Sequence, residues 1–449
     1  MTTRIYRQGV EVAAGASSGH SGDVRLRQVG LEVMARPTPS VDALALPAGV
    51  VEAFVHNWGG EVSMETAYQT SVNNSSDNVA EERRALQDRP TRTLEISWNG
   101  MDRDSLDRIL VVIKKMTENQ WVVPLYQDQV YLTQAYTDAP ANNNLYCNFQ
   151  DRRIHIGGRL AIMQFAGNYI PENVAYVTVA RKHRDYLILD SNVGFDLTVG
   201  NTIVLPCMDV EYVLEPAITY TTDRVGEVKL TLQEVAGPSA LVPSWHGLPD
   251  GWDVYQDLPI FDPAHDWSTS LQATYRKQGS QRDLGRGIIT NLRGDRPRLE
   301  VSWVLSLDRE EAFKVIRFFD SRMGRALPFF TIDPEDLWDP IASTTSTLDI
   351  SAQGTFSDLG YFDYVGLRMQ DGSKIIRGVD SIDDHSTFWR INLSENFSTA
   401  PSVSDIVGVA RARKSRFSKD TMEERWVTDD WCRLSLSTIE LLEEKEIGE

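Results

Sequence analysis

The sequence predicts an α+β protein that is mostly β, built from two tandem copies of a β-sheet-plus-helix module, each with a small β-barrel or sandwich insert, and an N-terminal β arm. Three observations support this prediction. The segment Leu94–Trp98 recurs as Leu299–Trp303 with only Ile exchanged for Val, and such self-similarity indicates an internal repeat. In both segments apolar residues alternate with Glu or Ser, which is the period of a half-buried strand. Strand-like runs then return at roughly 8 to 12 residue intervals, the spacing of a barrel or sandwich.

Shorter matches extend the repeat on both sides of these strands. The offset between matched residues drifts from 209 to 204 along the chain, so small insertions and deletions separate two copies of one plan. We expect an arm over residues 1–50, a first repeat over 51–237, a linker over 238–259, a second repeat over 260–443 and an acidic tail over 444–449. The further matches are His56-Asn57-Trp58 with His265-Asp266-Trp267, Arg89-Pro90 with Arg296-Pro297, Asp102-Arg103-Asp104 with Asp308-Arg309-Glu310, and Pro124 with Pro328.

Each repeat passes from a polar, arginine-rich stretch into a strand and then a helix. The strands are predicted at Arg92–Trp98 and Arg298–Leu305, and the helices over 103–118 and 309–323. Asp102 and Asp308 stand where a helix N-cap belongs, and Glu311 has the spacing of a capping box. Apolar residues at every third or fourth position give each helix one face that a sheet must cover. Short strands that contain Pro, Val122–Tyr126 and Ala326–Phe330, follow the helices.

The β-rich inserts are predicted at about 130–205 and about 345–412, and each repeat closes on an alternating strand, Glu227–Leu232 or Cys432–Ser437. In the arm, Arg7–Val12 resembles Arg27–Val33, which predicts two short strands. Because two strands alone bury no core, we expect the arm to add a strand to a sheet edge of its own or a neighbouring chain. The strands predicted inside the inserts are Tyr176–Val179, Tyr186–Leu189, Thr202–Leu205, Tyr364–Met369, Lys374–Ile376 and Phe388–Leu393.

The composition favours a folded, acidic protein of several domains. The 449 residues include 45 Lys plus Arg and 64 Asp plus Glu, a formal net charge of −19, and this sign disfavours binding to nucleic-acid phosphates. Cys147, Cys207 and Cys432 are far apart and odd in number, so we expect buried, reduced thiols rather than disulfides. No apolar stretch has the length of a signal sequence or a membrane span, so synthesis in the cytoplasm without membrane insertion is expected.

The combination of motifs in each repeat resembles bacteriophage tail structural proteins: a Trp, an Arg-Pro, a Leu-Glu-Ile-Ser-Trp strand, an amphipathic helix, an aliphatic strand with Pro, a β-rich insert and a closing strand. Two further segments look like the closing strand pair of that family, Thr222–Val228 and Thr428–Arg433. The resemblance implies a virion component made in the host cytoplasm and placed at the distal end of the tail, such as a distal tail, tail hub or minor tail protein. It further implies a homo-oligomeric ring, expected to be hexameric, that joins tail tube, baseplate hub, tip or fibre proteins and lets genome DNA pass without specific binding.

Repetition favours a ring independently of the resemblance, because repeated units present the same edge twice and closure satisfies edges that would otherwise aggregate. The negative charge suits a channel through which DNA slides, so more carboxylates than basic groups are expected on the lumen face. Since each chain carries two modules, the number of chains per ring stays open. A ring of six compact modules would measure roughly 100 Å across.

No catalytic, cofactor or metal site is expected. The stretch Gly15–Gly19 matches the G-x-S-x-G pattern around Ser17, but a loop that leads into a strand is the wrong context for a nucleophile. The acidic segment Asp333–Asp339 lacks the Gly and the spacing of a calcium loop, so a solvated turn is favoured. Each His-x-Trp offers a single His, too few for a zinc site. The runs Glu81–Arg84 and Arg411–Arg416 are more typical of solvated or interface charge, and the second could pair with an acidic neighbour.

Two other functions stay open beside the structural one. The 11 Trp and 15 Tyr would suit stacking on sugars in a carbohydrate- or receptor-binding tail module, and the many carboxylates with the Ser17 loop would suit a cell-wall hydrolase. The structural subunit is favoured because it alone accounts for the duplication, the arm and the missing catalytic constellation. The repeat-core or interface candidates are Trp58, Trp98, Pro124, Trp267, Trp303 and Pro328.

Overall fold

The structure, a computed structural model, is mostly β, as the sequence predicts, and its described part contains 30 strands. Short alternating runs fill the chain, and such runs bury one face only by joining sheets. The described residues are 4–7, 10–13, 61–74, 81–87, 89–103, 106–107, 109–110, 113, 121–139, 143–165, 171–213, 216–222, 225–235, 251–276, 279–283, 288–292, 298–334, 338–351 and 362–441.

The first half of the chain contains fifteen of these strands. They are β1 (Arg4–Arg7), β2 (Val10–Ala13), β3 (Val62–Ala67), β4 (Thr70–Asn74), β5 (Glu81–Ala85), β6 (Thr91–Asp102), β7 (Trp121–Pro124), β8 (Val130–Tyr131), β9 (Asn144–Tyr146), β10 (Arg159–Phe165), β11 (Pro171–Lys182), β12 (Tyr186–Leu189), β13 (Thr202–Tyr212), β14 (Ala217–Tyr220) and β15 (Val225–Glu234).

The second half contains the other fifteen described strands and helix α2, where α1 denotes the helix that begins at Arg103 in the first half. They are β16 (Val254–Tyr255), β17 (Leu258–Phe261), β18 (Gln272–Arg276), β19 (Gly279–Asp283), β20 (Ile288–Leu292), β21 (Arg298–Asp308), α2 (Arg309–Ser321), β22 (Phe329–Ile332), β23 (Pro340–Ser343), β24 (Thr347–Ser351), β25 (Tyr364–Met369), β26 (Lys374–Asp384), β27 (Phe388–Leu393), β28 (Ile406–Phe417), β29 (Thr421–Trp426) and β30 (Trp431–Glu440).

One antiparallel sheet runs through both halves of the chain. Its strand order is β14–β15–β6–β3–β29–β30–β21–β18. Strands β14, β15, β6 and β3 form what we call the first unit, and β29, β30, β21 and β18 form the second unit. The two units share one internal order, because β18, β21, β29 and β30 follow one another along the chain as β3, β6, β14 and β15 do.

Smaller features recur in both units. A separate hairpin follows the first strand of each unit, β4 with β5 and β19 with β20. The turn before the last strand has the same hydrogen bond in each, from Thr221 N to Val225 O at 2.9 Å and from Val427 N to Trp431 O at 3.1 Å. The two turns are 206 residues apart, which lies within the range of offsets in the sequence repeat.

An insert with its own hydrophobic core extends from each unit. In the first insert, β10 pairs with β11 and β13, β11 with β12, and β12 with β9. In the second, β25 pairs with β26 and β28, β26 with β27, and β27 with β24. Strands β13 and β28 continue out of the inserts and pair with β15 and β30, so each insert is attached to its unit by a shared strand.

Helix α2 covers one face of the sheet. The Asp308 side chain caps it by accepting a hydrogen bond from Glu311 N at 2.9 Å, as the sequence predicts. The buried apolar face packs against side chains from both units in one continuous core. Its members are Ala312, Phe313, Val315, Ile316, Phe318 and Phe319.

The two predicted helices differ from their expected lengths. The first, which we call α1, is described as helical at positions 103, 106, 107, 109, 110 and 113, and its predicted end near 118 lies outside the described residues. Helix α2 ends at Ser321 rather than at 323. Met323 and Gly324 both have positive φ angles, 51° and 62°, and this left-handed backbone ends a helix.

Most strands lie where the sequence predicts them. β12, β25 and β27 have the predicted bounds, while β6 and β21 are longer than predicted. The strand predicted at Ala326–Phe330 begins only at Phe329, because a turn closed by a hydrogen bond from Leu327 N to Arg322 O occupies the residues before it. The strand predicted at Val122–Tyr126 ends at Pro124 and passes into a 3-10 turn at Tyr126–Asp128.

Two predicted boundaries are changed by the structure. The strand predicted at Arg7–Val12 is divided between β1 and β2, which pair with Arg4 opposite Ala13; the second predicted arm strand, 27–33, lies outside the described residues. The predicted linker, 238–259, ends in the hairpin of β16 and β17. Tyr255 of that hairpin is buried, and its ring centroid lies 5.3 Å from that of Phe330. Residues 254–259 therefore belong to the packed second half.

Candidate functional site: the junction and the free edges of the sheet

The junction between the two units is a strand pair. β3 of the first unit pairs antiparallel with β29 of the second, from Val62 opposite Trp426 to Ala67 opposite Thr421. Each strand turns alternate residues to the helix side of the sheet, where Val62, Met64 and Trp426 are fully buried. The junction thus continues the hydrophobic core from one unit into the other.

A cluster of four buried charged residues crosses the junction at the start of α2, and we call it the junction charge cluster. Asp128 of the first half accepts hydrogen bonds from Arg153 Nη1 at 3.0 Å and from Arg309 Nη1, in the first turn of α2, at 3.1 Å. Arg153 Nη2 donates to Glu424 Oε2 of β29 at 2.5 Å. All four side chains are less than one-tenth exposed. Two positive and two negative charges therefore compensate one another away from water, which buried charges require.

Aromatic rings and backbone carbonyls complete the surroundings of this cluster. The Arg309 guanidinium lies 4.5 Å from the Trp426 ring centroid and donates hydrogen bonds to the carbonyls of Gln127 and Asp429. Trp426 Nε1 donates to Glu424 Oε2 at 3.1 Å. Burial lowers the pKa of Arg309, although Asp128 opposes this; for Arg153, burial is outweighed by Glu424 and Asp128, and its pKa is raised. Both guanidinium groups stay charged.

A second group of polar residues crosses the junction at the other end of α2. Asp320 of the helix accepts a hydrogen bond from the Tyr68 hydroxyl at 2.9 Å and lies 3.9 Å from Arg92 Nη2. Arg92 Nη1 also donates to Glu234 at 3.4 Å. Burial raises the pKa of Asp320, and the positive charge of Arg92 opposes that shift. Both ends of α2 are thus bonded to the first half of the chain.

Asp420 joins the halves next to this second group. Its backbone oxygen accepts from Tyr68 N at 2.9 Å, and its carboxylate accepts from Thr70 Oγ1 at 2.7 Å. Arg325 Nε lies 2.8 Å from the same carboxylate, and Arg325 Nη2 donates to Thr70 O at 3.2 Å. Asp420 and Arg325 of the second half are thus bonded to Tyr68 and Thr70 of the first half.

The two outer strands of the sheet are exposed edges within the described part of the chain. β14 pairs only with β15 there, and β18 pairs only with β21. All five residues of β18 are exposed. Tyr220 in β14 and Tyr275 in β18 are 61% and 65% exposed, a large apolar area to leave in water beside unpaired backbone groups.

The sheet face opposite α2 is polar, and its charges are balanced. Lys229 pairs with Glu95 at 2.7 Å and Arg425 with Glu423 at 2.8 Å, while Arg276 pairs with Glu300. Between the rims where the helices begin, the described strands place five carboxylates and five basic groups on this face. They are Glu65, Glu95, Glu227, Glu300 and Glu423 with Lys229, Arg276, Arg298, Arg425 and Arg433. The carboxylate excess expected for a lumen is not found on this face.

The predicted repeat-core candidates have different places in the structure. Trp98 and Trp303 are buried in the common core, and Trp303 Nε1 donates to Thr438 Oγ1 at 3.0 Å. Trp267 is 67% exposed, so it does not anchor the core of the single chain, because the turn at Asp266 points it outward. Hydrogen bonds from Ser306 and Ser268 to the Asp266 carboxylate fix that turn. They also lower the pKa of Asp266 to about 2. Pro124 ends β7 and is buried, Pro328 precedes β22 and is half-buried, and Trp58 lies outside the described residues.

The residues weighed for chemistry are placed in structural roles where they are described. Asp333 pairs with Arg413 at 2.7 Å, so this part of the Arg411–Arg416 run serves the same chain rather than an acidic neighbour. His265 Nε2 bonds to Thr269 O at 3.1 Å. Arg83 of the run Glu81–Arg84 donates to Arg325 O at 3.5 Å. Ser17 lies outside the described residues. Across the described chain, no three His, Cys, Asp or Glu side chains are grouped to hold a metal ion.

The three cysteines lie where the sequence predicts buried thiols. Cys147, Cys207 and Cys432 are buried free thiols, and burial raises the pKa of Cys147 to about 12, which makes its thiolate, the reactive form, rare. Among the residues that the structure describes, no helix has both the length and the apolar character needed to cross a membrane.

Sequence reasoning missed the junction, although one signal for it exists. On β29 the buried face reads Met422, Glu424, Trp426, and a carboxylate within an apolar alternation requires a buried positive partner. The partner, Arg153, is 271 residues away along the chain, so its identity could not be read from the sequence. No protein-family model matches the chain, and no curated protein is found that matches its sequence.

Proposed function

We propose that this chain is a structural subunit of a bacteriophage tail, an internally duplicated, non-enzymatic protein that assembles into a ring at the distal end of the tail. The observation that carries the proposal is the continuous sheet. Two units of the same strand order are joined edge to edge, and within the described residues each end of the sheet has an unpaired edge. A head-to-tail contact of this kind generates closed rings or open filaments when it repeats. The motif resemblance to tail proteins selects the ring.

The duplication belongs to this proposal. It is supported by the common strand order, the hairpin after the first strand of each unit, the matching turn bonds and the common pairing pattern of the two inserts. In this view each insert is a small barrel or sandwich that grew from the same module. Gene duplication would turn one ring-forming module into a chain with two.

The shape of the sheet gives the ring an inside and an outside. Helix α2 and its counterpart α1 cover one face, and a bulky face fits on the longer, outer circumference. The polar face then lines the channel. Its paired charges and its many Ser and Thr side chains offer DNA no excess of positive charge to bind. The tail tube, hub, tip and fibre proteins would contact the flat sides and the inserts.

Electron microscopy of the purified chain in negative stain tests the proposal. We expect rings roughly 100 Å across if about six modules close the circle. Antibodies against the chain should also label the distal end of the tail in purified virions. A chain that stays monomeric at high concentration and is missing from purified virions would rule the proposal out.

A second function, recognition of a carbohydrate receptor, is favoured by one specific observation. The exposed hairpins of both inserts carry a His stacked on an aromatic ring: His183 on Tyr186 at 4.5 Å and His385 on Phe388 at 4.6 Å between centroids. Tyr146 lies beside Tyr186, with 5.2 Å between centroids and a tilt of 37°. The two His rings are exposed and the three other rings half-buried, and flat aromatic rings stack well on sugars. A glycan array probed with wild type and with Tyr186→Ala would show hits that the variant loses; an array without hits would remove this function.

A further inference from the structure

We propose that β14 of one chain pairs with β18 of a second chain and so repeats, between molecules, the contact that β29 and β3 make within one molecule. The proposal rests on the proposed ring and names the surfaces that close it. The partner is therefore a second copy of this chain.

The first step is the equivalence of β14 and β29. Both are hairpin partners of the last strand of their unit, with Tyr220 opposite Gly226 and Trp426 opposite Cys432 at the turn. The turn hydrogen bonds match at an offset of 206 residues, and this offset places Tyr220 at the position of Trp426 and Ile218 at that of Glu424. β14 and β29 therefore hold the same position in their units. They differ in that β29 is also paired with β3.

The second step is the equivalence of β18 and β3. Val62 and Met64 of β3 lie opposite Ile96 and Leu94. Ala273 and Tyr275 of β18 lie opposite Val301 and Leu299, the residues that match Ile96 and Leu94 in the sequence repeat. Ala273 therefore corresponds to Val62, and Tyr275 to Met64.

The exposure of these matched residues shows what the free edges lack. Trp426 and Met64 are 0% exposed at the junction, whereas Tyr220 and Tyr275 at the matching positions are 61% and 65% exposed. Matching apolar side chains are thus buried where the two units meet and exposed on the outer strands β14 and β18. Exposed edges usually carry Lys, Pro or a bulge that blocks pairing. β14 has no charged residue, and the single charge of β18, Arg276, is bound to Glu300.

The edges can meet only between molecules. They are the two ends of an eight-stranded sheet, and seven strand spacings put them roughly 34 Å apart in one chain. Carrying over the register of the junction places Tyr220 opposite Ala273, Thr219 opposite Thr274 and Ile218 opposite Tyr275. Each bulky ring then faces a smaller side chain, as Trp426 faces Val62 at the junction.

The two helices differ in the same way. Arg309 in the first turn of α2 reaches across the junction to Asp128, and Arg103 holds the matching position in α1 but is exposed. In the proposed contact Arg103 faces the second half of the next chain.

Disulfide cross-linking tests the register directly. In antiparallel pairs the Cα atoms of opposite residues are about 4.5 to 5.5 Å apart, within the Cα range of a disulfide. Chains with Thr219→Cys and chains with Thr274→Cys are purified separately, mixed, allowed to assemble and oxidised. We expect a covalent dimer from the mixture only, because neither variant alone places two introduced thiols together. The native thiols are buried. Ala217→Cys mixed with Thr274→Cys, two residues out of register, is the control and should cross-link far less.

A second measurement uses a charge at the edge. Tyr275→Lys should weaken assembly at least tenfold in sedimentation velocity, while Val407→Lys, at a site 66% exposed on the second insert, should leave it unchanged.

The outcomes separate the interface from the proposed function. If oligomers form but the mixture does not cross-link and Tyr275→Lys has no effect, the proposed interface is wrong, while the proposed ring is not contradicted. Cross-linking of Thr219→Cys chains to Glu11→Cys chains would assign the edge to the arm and also overturn the interface. A wild-type chain that never associates would overturn both the interface and the proposed function.

Discussion

Arg309 and Arg103 are the same residue type in the first turn of two helices, yet their surroundings differ completely. Arg309 is enclosed by Asp128, two carbonyl oxygens and the Trp426 ring, whereas Arg103 is exposed. Arg309 lies beside the first half of the chain at the junction, whereas Arg103 has no further unit beside it in the described part of the chain. The role of a residue in this chain is therefore set by the contact between units more than by its immediate sequence.

Removal of Arg309 tests the junction charge cluster. Arg309→Met should destabilise the fold by about 3 to 5 kcal/mol, because Asp128 loses one of its two buried partners. The matched control is Lys314→Met on the same helix, whose pair with Glu310 is exposed and whose loss should cost about 0.5 kcal/mol or less. Urea unfolding followed by tryptophan fluorescence measures both. Equal losses for the two variants would show that the cluster adds nothing beyond surface charge.

Asp320 should make stability depend on pH. Its pKa is raised above the ordinary value of 3.8 by burial, so the folded state favours the protonated form. The stabilisation is complete below pH 3.8 and is lost as pH rises through the raised pKa. Asp320→Asn cannot ionise and keeps an acceptor for Tyr68. The free energy of unfolding of wild type minus that of the variant should therefore fall as pH increases.

A carboxylate with the opposite shift provides the control for this titration. Hydrogen bonds from Ser373 lower the pKa of the exposed Asp371, so its contribution is present above pH 3.8 and is lost as pH falls. Asp371→Asn should change the pH profile with the opposite slope to Asp320→Asn. Parallel profiles for the two variants would contradict the assignment.

At the scale of elements, β3 and β18 hold matching positions in the two units but have different surroundings. β3 is enclosed between β6 and β29, while β18 has a neighbour on one side only in the described chain. Equivalent substitutions should therefore have different effects. This difference can be measured in the single chain, without any assembly.

Met64→Ala should cost about 2 to 5 kcal/mol, the usual loss for a fully buried Met. Tyr275→Ala, at the equivalent position of β18, should change the stability of the monomer by no more than about 0.5 kcal/mol. Chemical unfolding at a concentration low enough to keep the chain monomeric compares the two. A large effect of Tyr275→Ala there would mean that β18 is already covered within one molecule.

The elements themselves could largely be read from the sequence, because they depend on local periodicity. Strands such as β12, β25 and β27 and the capped start of α2 follow from alternation and from Asp308. The hairpins β4–β5 and β19–β20 lie in polar, arginine-rich stretches, which do not show the clear alternation of apolar and polar residues that predicts a strand. The pairing of β3 with β29 joins residues about 360 positions apart, and no local pattern specifies such a partner.

At the scale of the whole molecule, the number of chains in the proposed ring can be counted. If every contact between units is alike, each closed ring contains twice as many units as chains. Native mass spectrometry of the rings should therefore give multiples of 50.6 kDa, with three chains if six units close the circle and six chains if the expected hexamer consists of whole chains. A broad ladder of open oligomers without a preferred size would indicate a filament instead of a ring.

Because the two units that meet at the β3–β29 junction belong to one chain, the rate at which the proposed ring forms and the sizes it can take are both affected. Within one chain the two units face each other at an effective concentration in the millimolar range, far above that of separate proteins in a cell. Half of all contacts in any ring are therefore made during folding, and only the other half wait for collisions between chains. The proposed assembly would then begin at lower protein concentration than for a protein with a single unit. A growing arc would gain two units at each step, so closed circles with an odd number of units could not arise.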